Sequence, residues 1–247
     1  MLIQKFIKSL GEDGFYETSK KVFTRIKLEC DPLYRANQRD RKRGSRFDNQ
    51  FGLETQGPVL IKELKIPPEI SRRCFHYLPT PLTLSRQILD NLTINHEEFI
   101  FIDIGSGKGR MLLLASHYPF KKIIGIEVDR SLTESARKNI DRYRIKARKE
   151  QKCVDINLNC VEASEYSFPK ENMVVFLFCP FDSHVLSQAL FNMERALLQT
   201  SLKLIIIYVN PVFKKSLEDA GFLKLVENNE NDLSDFSVYT NQAFDKK

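Results

Sequence analysis

Two apolar runs, separated by a glycine-rich turn and one helix length, constrain this sequence most. The first, FIFID, ends at Asp103, the turn begins at Gly105, and the second run, IIGIE, ends at Glu127. Runs of β-forming residues on either side of a helix predict a βαβ unit. Glycine lets a ligand approach the backbone closely, and the start of the helix offers unpaired N–H groups. The pattern therefore predicts a nucleoside-binding α/β fold in which Glu127 accepts hydrogen bonds from ribose hydroxyls.

The spacing of the glycines narrows the class of ligand. A triphosphate-binding loop needs Lys-Ser or Lys-Thr after its second glycine, but Gly107-Lys108 is followed by Gly109. A dinucleotide fold needs a glycine at the position that Arg110 occupies. Asp103 also puts a carboxylate where a pyrophosphate would lie, and like charges repel in a partly desolvated cleft. The turn is thus predicted to bind a cationic nucleoside, with a nicotinamide enzyme as the remaining alternative.

Together with the acid-Ala pair Glu162-Ala163, these residues resemble the class I S-adenosylmethionine-dependent methyltransferases over about residues 77–240. The resemblance implies S-adenosyl-L-methionine as cofactor, with Asp103 facing its amino group, the glycine backbone its methionine end, Glu127 its ribose and Glu162-Ala163 its adenine. S-adenosylmethionine carries a sulfonium and an ammonium but no phosphate, in agreement with the electrostatic argument. The residues predicted to bind the cofactor are Tyr77, Asp103, Gly105, Ser106, Gly107, Gly109, Glu127, Val128, Glu162 and Ala163.

The residues after the fourth predicted strand are candidates for catalysis. Family members that methylate amino groups often place Asn or Asp, then Pro and an aromatic residue here, and this sequence has Cys179, Pro180 and Phe181. A thiol is a poor substitute for a carbonyl acceptor. His184 is a further candidate because its imidazole can accept a proton from the methyl acceptor. The predicted catalytic residues are therefore Cys179, Pro180, Phe181 and His184.

The acceptor is left open by the sequence. The segment from Tyr77 to Arg110 resembles small seven-strand protein-lysine methyltransferases, which favours protein lysine or another nitrogen over a small molecule, with nucleic acid third. The competing hypothesis is a regulatory protein that binds the nucleoside cofactor without turnover.

The rest of the pattern predicts a three-layer α-β-α sandwich. Strands alternate with helices, which implies a mostly parallel sheet, and the resemblance implies seven strands with an antiparallel last strand. The predicted strands after the βαβ unit are 154–160, 173–179, 202–209, 222–227 and 236–240; the predicted helices follow Pro81, Asp129 and Pro211 and span 183–198. Thr80 is predicted to cap the first of these helices.

The front of the chain is predicted to be an N-terminal helical accessory region, residues 1–76, before a methyltransferase domain, residues 77–247. Residues 1–30 carry two amphipathic patterns separated at Gly11–Gly14. Residues 31–58 lack periodicity and predict a connection or a lid over the substrate. The basic run within them, Arg35 to Arg46, favours a solvated loop over contact with nucleic-acid phosphates.

Composition limits the remaining possibilities. The chain has 247 residues and a net charge of +6, which favours an anionic partner without naming one. Its five cysteines form no C-x-x-C pair and no grouping with histidine that is typical of a metal site, so free thiols in the cytoplasm and no bound metal are predicted. No apolar run approaches the length of a membrane span, so a soluble protein without membrane contact is expected.

Overall fold

The computed structural model of the protein describes residues 32–197 and 201–241. The predicted helices within residues 1–30 lie outside these residues. The strands are β1 (Phe99–Ile104), β2 (Lys122–Glu127), β3 (Ile156–Cys160), β4 (Asn172–Phe178), β5 (Leu204–Val209), β6 (Lys224–Asn229) and β7 (Phe236–Thr240). The α-helices are α1 (Pro32–Phe51), α2 (Pro68–Ser71), α3 (Leu82–Asp90), α4 (Arg110–Ala115), α5 (Arg130–Lys146), α6 (Ser183–Leu197) and α7 (Lys214–Glu218). Short 3-10 helices occupy Ile61–Glu63, His96–Glu98 and Ala163–Glu165.

The strands form one seven-stranded sheet in the order β3-β2-β1-β4-β5-β7-β6. Strands β1 to β5 pair in parallel, whereas β7 runs antiparallel to both β5 and β6. The predicted mostly parallel sheet with a reversed last strand is therefore confirmed. The carboxyl ends of β1, β2 and β4 meet at one edge, because Ile104 pairs with Ile126 of β2 and with Leu177 of β4.

Two apolar cores, one on each face of the sheet, complete the three layers. Alternate residues of a strand point to opposite faces, and in β1 Phe101 joins one core while Ile102 joins the other. The first core contains residues of α3, α4 and α5, and the second contains residues of α6. The α-β-α sandwich is confirmed, with β1 and β4 buried at its centre as their apolar sequences predict.

The predicted connection at residues 31–58 is wrong for most of its length, because residues 32–51 form α1. Within residues 36–51 of this helix, the buried positions are Asp40, Gly44, Phe47, Asp48 and Phe51. These positions repeat at helical spacing but alternate apolar with polar residues, so a search for apolar periodicity misses them. The aromatic rings of Phe47 and Phe51 pack on Tyr143 of α5, in the same core as the sheet. The predicted division between residues 76 and 77 stays a prediction.

The predicted cap of α3 is also corrected. Thr80 does not cap the helix: its carbonyl oxygen accepts a hydrogen bond from Nη1 of Arg110. The N–H groups of Leu82 and Thr83 instead donate to the Asp40 carboxylate, at 2.9 and 2.8 Å. The cap therefore comes from a residue of α1 that is far away in sequence. By contrast, Asp129, after which a helix is predicted, does cap α5, since its carboxylate accepts from the N–H of Leu132.

No helix in the two described ranges is both long enough and apolar enough to cross a membrane.

Candidate active site

A cleft of about 900 Å³ lies at the carboxyl edge of the sheet, where β1, β2 and β4 end. Most of the predicted site residues line it: Tyr77, Asp103, Gly105, Ser106, Glu127, Val128, Glu162, Ala163, Pro180 and Phe181. Parallel sheets bind their ligands at this edge. Four predicted residues, Gly107, Gly109, Cys179 and His184, are not among the residues that line the cleft.

The three glycines of the turn all have a left-handed backbone conformation. Gly105, Gly107 and Gly109 have φ values of 75°, 52° and 84°, which other residues rarely adopt. A Cβ atom on Gly105 would lie 2.4 Å from Cβ of Pro180, and one on Gly107 would lie 2.1 Å from Cε2 of Tyr77. Glycine is thus required at these two positions both by backbone conformation and by space.

The backbone donors of this turn are already engaged. The N–H groups of Gly105 and Ser106 both donate to the carbonyl oxygen of Ile126, at 2.8 and 3.0 Å. The N–H of Gly107 donates to Oε2 of Glu127 at 2.9 Å. The N–H of Gly109 donates to the carbonyl oxygen of Ser106. A phosphate needs several free N–H donors at such a turn, so these four groups do not form a phosphate cradle.

Two buried carboxylates face the cleft. Asp103 is 4% exposed, and no described residue donates a hydrogen bond to its side chain. Burial raises its pKa well above the ordinary value, and the nearby charge of Glu127 raises it further. Burial also raises the pKa of Glu127, although the N–H groups of Asp129 and Gly107 oppose the shift by donating to it. A positively charged ligand would stabilise the ionised form of both groups.

The loops after β2 and β3 form one side of the cleft. Val128 follows Glu127, and Glu162 and Ala163 lie at the start of the 3-10 helix that follows β3. The two loops are joined because the N–H of Val161 donates to the carbonyl oxygen of Glu127 at 3.0 Å. Ala163 is buried and Glu162 is partly exposed.

The four predicted catalytic residues separate into two groups. Pro180 and Phe181 line the cleft. Cys179 is buried, has a positive φ of 38°, and its sulfur accepts from the Tyr208 hydroxyl at 3.8 Å. Burial raises the pKa of this thiol, which disfavours the nucleophilic thiolate. His184 is exposed on the first turn of α6, outside the cleft.

One wall of the cleft comes from residues 59–80, which we call the wall segment. Its residues in the lining are Leu64, Cys74, Phe75, His76, Tyr77, Leu78, Pro79 and Thr80. Backbone hydrogen bonds attach it to the loop after β4: the N–H of Phe75 donates to the carbonyl oxygen of Pro180, and the N–H of Asp182 donates to that of Arg73. Of residues 31–58, which are predicted as a connection or a lid, those that the structure describes do not line the cleft; the wall segment that follows them does. Of this wall, only Tyr77 is indicated by the sequence.

Arg110 is a second feature of the site that sequence reasoning misses. It lines the cleft, and its side chain is 3% exposed. Nε donates to the Thr55 hydroxyl at 2.8 Å, Nη1 to the carbonyl oxygen of Thr80 at 3.2 Å, and Nη2 to Oε1 of Gln56. Burial lowers the pKa of Arg110, but a guanidinium stays protonated in proteins. The Asp-x-Gly-x-Gly-x-Gly-Arg pattern contains this residue, but its partners lie about thirty or more residues upstream.

The sheet order and the acidic cleft behind a glycine turn define a class I methyltransferase fold. Residues 97–180 match the model of a protein family described as "Putative methyltransferase". The match covers less than half of the chain, and together with the fold and the cleft it supports an S-adenosylmethionine-dependent methyltransferase with S-adenosyl-L-methionine as its cofactor. No curated protein matches the chain.

Several solved structures are similar to the chain. A SAM-dependent methyltransferase from Aquifex aeolicus is 18% identical, with a TM-score of 0.48, and the match covers 63% of this chain and 88% of that one. An RNA methyltransferase from Salinibacter ruber, solved with S-adenosyl-L-homocysteine, is 17% identical, with a TM-score of 0.46 and coverage of 69% and 98%. A ribosomal protein L11 methylase from Lactobacillus delbrueckii subsp. bulgaricus is 11% identical, with a TM-score of 0.46 and coverage of 64% and 77%.

Among residues 32–197 and 201–241, no group of three or more His, Cys, Asp or Glu side chains is arranged to hold a metal ion. The four cysteines in these ranges, Cys74, Cys153, Cys160 and Cys179, are free thiols.

Proposed function

We propose that the protein transfers a methyl group from S-adenosylmethionine to a nitrogen atom, with protein lysine or another nitrogen favoured over a small molecule. The observation that carries the proposal is the Asp103 carboxylate, which is buried in the cleft without a donor among the described residues. A buried carboxylate is costly unless a cation pairs with it. The ammonium of the cofactor is such a cation.

In this proposal the cofactor lies along the carboxyl edge of the sheet. Asp103 holds its ammonium, Glu127 its ribose hydroxyls, and Val128 with Glu162-Ala163 its adenine. The backbone of Gly105, Ser106, Gly107 and Gly109 faces its methionine end, and the ring of Tyr77 covers the turn. These roles come from the resemblance, and the burial and position of Asp103 and Glu127 support them.

The apolar side of the cleft favours a nitrogen acceptor. When bound, the cofactor would supply a methyl group on a sulfonium; the acceptor nitrogen would form its bond to that carbon in line while the bond from carbon to sulfur breaks, with the thioether S-adenosylhomocysteine as leaving group. Phe75 of the wall segment and Pro180 and Phe181 of the loop after β4 line the cleft. Such surroundings disfavour an ammonium and favour the neutral amine, which is the nucleophilic form. Pro180 and Phe181 align the acceptor and exclude water, so the reaction requires neither a proton transfer to His184 nor a thiolate at Cys179.

A second candidate acceptor is nucleic acid, and the exposed surface of α1 favours it. The exposed basic side chains of α1 are Arg39, Arg41, Lys42, Arg43 and Arg46. The two acids of the same helix are buried: Asp40 accepts from the start of α3, and Asp48 accepts from Thr55 and Gln56. The exposed face is therefore strongly cationic, as a surface that binds phosphates requires. The helix is linked to the cleft through Gln56, whose side chain donates to the carbonyl oxygen of Arg41 and accepts from Arg110 in the cleft lining.

The experiment is transfer of labelled methyl groups from S-adenosylmethionine into a cell lysate, with the label divided into protease-sensitive, nuclease-sensitive and small-molecule fractions. The proposal expects label in the protease-sensitive fraction and methyl-lysine after acid hydrolysis. Label in the nuclease-sensitive fraction would support the second candidate instead. The variant Asp103→Asn should lose the label, whereas Asp219→Asn, an exposed carboxylate away from the cleft, should retain it. Absence of label with the unaltered protein would contradict turnover.

We also propose a cytoplasmic location, because the cysteines of the described residues are free thiols.

A further inference from the structure

The carboxylate of S-adenosylmethionine needs a partner in this cleft. The cofactor is a zwitterion at its methionine end, with an ammonium and a carboxylate on the same carbon. The N–H groups of Gly105, Ser106, Gly107 and Gly109 donate to the protein's own oxygens. Asp103, Glu127 and Glu162 add only negative charge to the cleft. A carboxylate that enters beside these acids requires a cation to offset the repulsion.

Arg110 is the only lysine or arginine among the described residues that line the cleft. Its terminal nitrogens carry two N–H groups each, and the structure uses one of each: Nη1 donates to Thr80, and Nη2 donates to Gln56. Two anions, Asp48 and Asp40, act on Arg110. Asp48 forms an ion pair with it, but at 3.9 Å from Nη2 its Oδ1 is beyond hydrogen-bond distance. Both oxygens of Asp48 already accept from Thr55. Within residues 32–197 and 201–241, no acceptor pairs with the second N–H group of either terminal nitrogen, so one group on each remains for a ligand.

The hydrogen bonds of Arg110 also fix the orientation of its guanidinium. Thr55, Gln56 and Thr80 hold three different nitrogens of the group, and the side chain is buried. An arginine that is held in this way loses little entropy on binding, and its planar fork matches a carboxylate. Among the described residues, no hydrogen bond or ion pair joins Arg110 to Asp103. The cleft therefore contains both a carboxylate that can face the ammonium of an amino acid, Asp103, and a cation that can face its carboxylate, Arg110.

We propose that Arg110 binds the carboxylate of the cofactor and so selects an intact methionine end, while Asp103 binds the ammonium. This inference rests on the proposed function, since it takes S-adenosylmethionine as the ligand. It assigns to Arg110 a role in ligand specificity and not only in the packing of the wall. A ligand that lacks the carboxylate should gain nothing from Arg110.

The test compares two ligands by calorimetry: S-adenosylmethionine and its decarboxylated form, which keeps the sulfonium and the ammonium. The unaltered protein should bind S-adenosylmethionine about 10- to 100-fold more tightly, because a hydrogen-bonded charge pair contributes on that order. Arg110→Met should remove this preference and leave the affinity for the decarboxylated form within about twofold. Asp103→Asn should weaken binding of both ligands, since both carry the ammonium.

The outcomes distinguish this inference from the proposed function. Binding of neither ligand to the unaltered protein would contradict the choice of cofactor. Binding of both with equal affinity, or an equal loss for both in Arg110→Met, would overturn the role of Arg110 and leave the choice of cofactor standing. If Arg110→Met does not fold, Arg110→Lys provides the second measurement. It keeps the charge but loses the fork, so the preference should fall without disappearing.

Discussion

Gly107 shows how a single residue makes room for the site. Its φ of 52° lies in the left-handed region, and the ring of Tyr77 occupies the space where a Cβ atom would be. The ring cannot move away easily, because the Tyr77 hydroxyl donates to the carbonyl oxygen of Thr55. The backbone N–H and carbonyl groups of Tyr77 are also both hydrogen-bonded to Val59. The close approach of Tyr77 to the turn therefore depends on the missing side chain.

We predict that Gly107→Ala destabilises the protein by about 2–5 kcal/mol, the sum of left-handed strain and of overpacking against the ring. Gly221→Ala is the matched control: its φ is 69°, but nothing lies within 4 Å of its added Cβ, so only strain of about 1–2 kcal/mol is expected. Urea unfolding of both variants measures the difference. Equal losses would show that the contact between Tyr77 and the turn is not tight.

At the scale of elements, the strands are predicted because they depend on local sequence. Helix α1 is not predicted because it depends on contacts between residues far apart in sequence. Strands β1, β2, β4 and β5 are predicted because each is an apolar run whose burial needs no partner of particular chemistry. Helix α1 is missed because two of its five buried positions are aspartates, Asp40 and Asp48, whose partners lie elsewhere in the chain. A carboxylate becomes a core residue only when distant N–H groups satisfy it.

The candidate site likewise contains residues that the sequence predicts and residues that it does not. The turn and the two acids, Asp103 and Glu127, follow from spacing within one βαβ unit, and the structure brings them together in the cleft. The wall segment carries no periodicity, and it reaches the cleft through backbone hydrogen bonds to Pro180 and Asp182. Arg110 is present in the motif, but its orientation depends on Thr55 and Thr80. Pairings of this kind leave no pattern in a single sequence.

Asp40 joins α1 to the start of α3, so removal of its side chain should destabilise the packing of these two helices. It accepts from the N–H groups of Leu82 and Thr83, which are left without an acceptor in Asp40→Ala. We predict a loss of about 1–2 kcal/mol in the free energy of unfolding. Asp40→Asn keeps one oxygen acceptor and should lose less. Asn49→Ala, an exposed position on the same helix, should change stability by no more than about 0.5 kcal/mol. A loss in Asp40→Ala as small as in Asn49→Ala would mean that water replaces the carboxylate.

For the whole molecule, the two buried carboxylates of the cleft that favour binding of a cation also lower the stability of the fold when they are ionised. Burial raises the pKa of Asp103 and of Glu127 above their ordinary values, so the folded protein binds their protons more strongly than the unfolded chain does. These groups therefore favour folding at low pH, and the gain is lost as the pH rises through their folded pKa values. At neutral pH the two buried carboxylates therefore lower the stability of the fold, and a bound cation can offset this loss.

We predict that Asp103→Asn makes the free energy of unfolding less dependent on pH above the ordinary pKa of 3.8, because the neutral amide cannot lose a proton. Relative to the unaltered protein, the variant should gain stability as the pH rises and lose the stabilisation that S-adenosylmethionine provides. Urea unfolding at a series of pH values, with and without the cofactor, measures both effects. Asp219→Asn removes an exposed carboxylate and should leave the slope and the ligand effect unchanged. If Asp103→Asn followed the slope of the unaltered protein, Asp103 would be ionised even without added cofactor, and a cation of the protein would have to neutralise it.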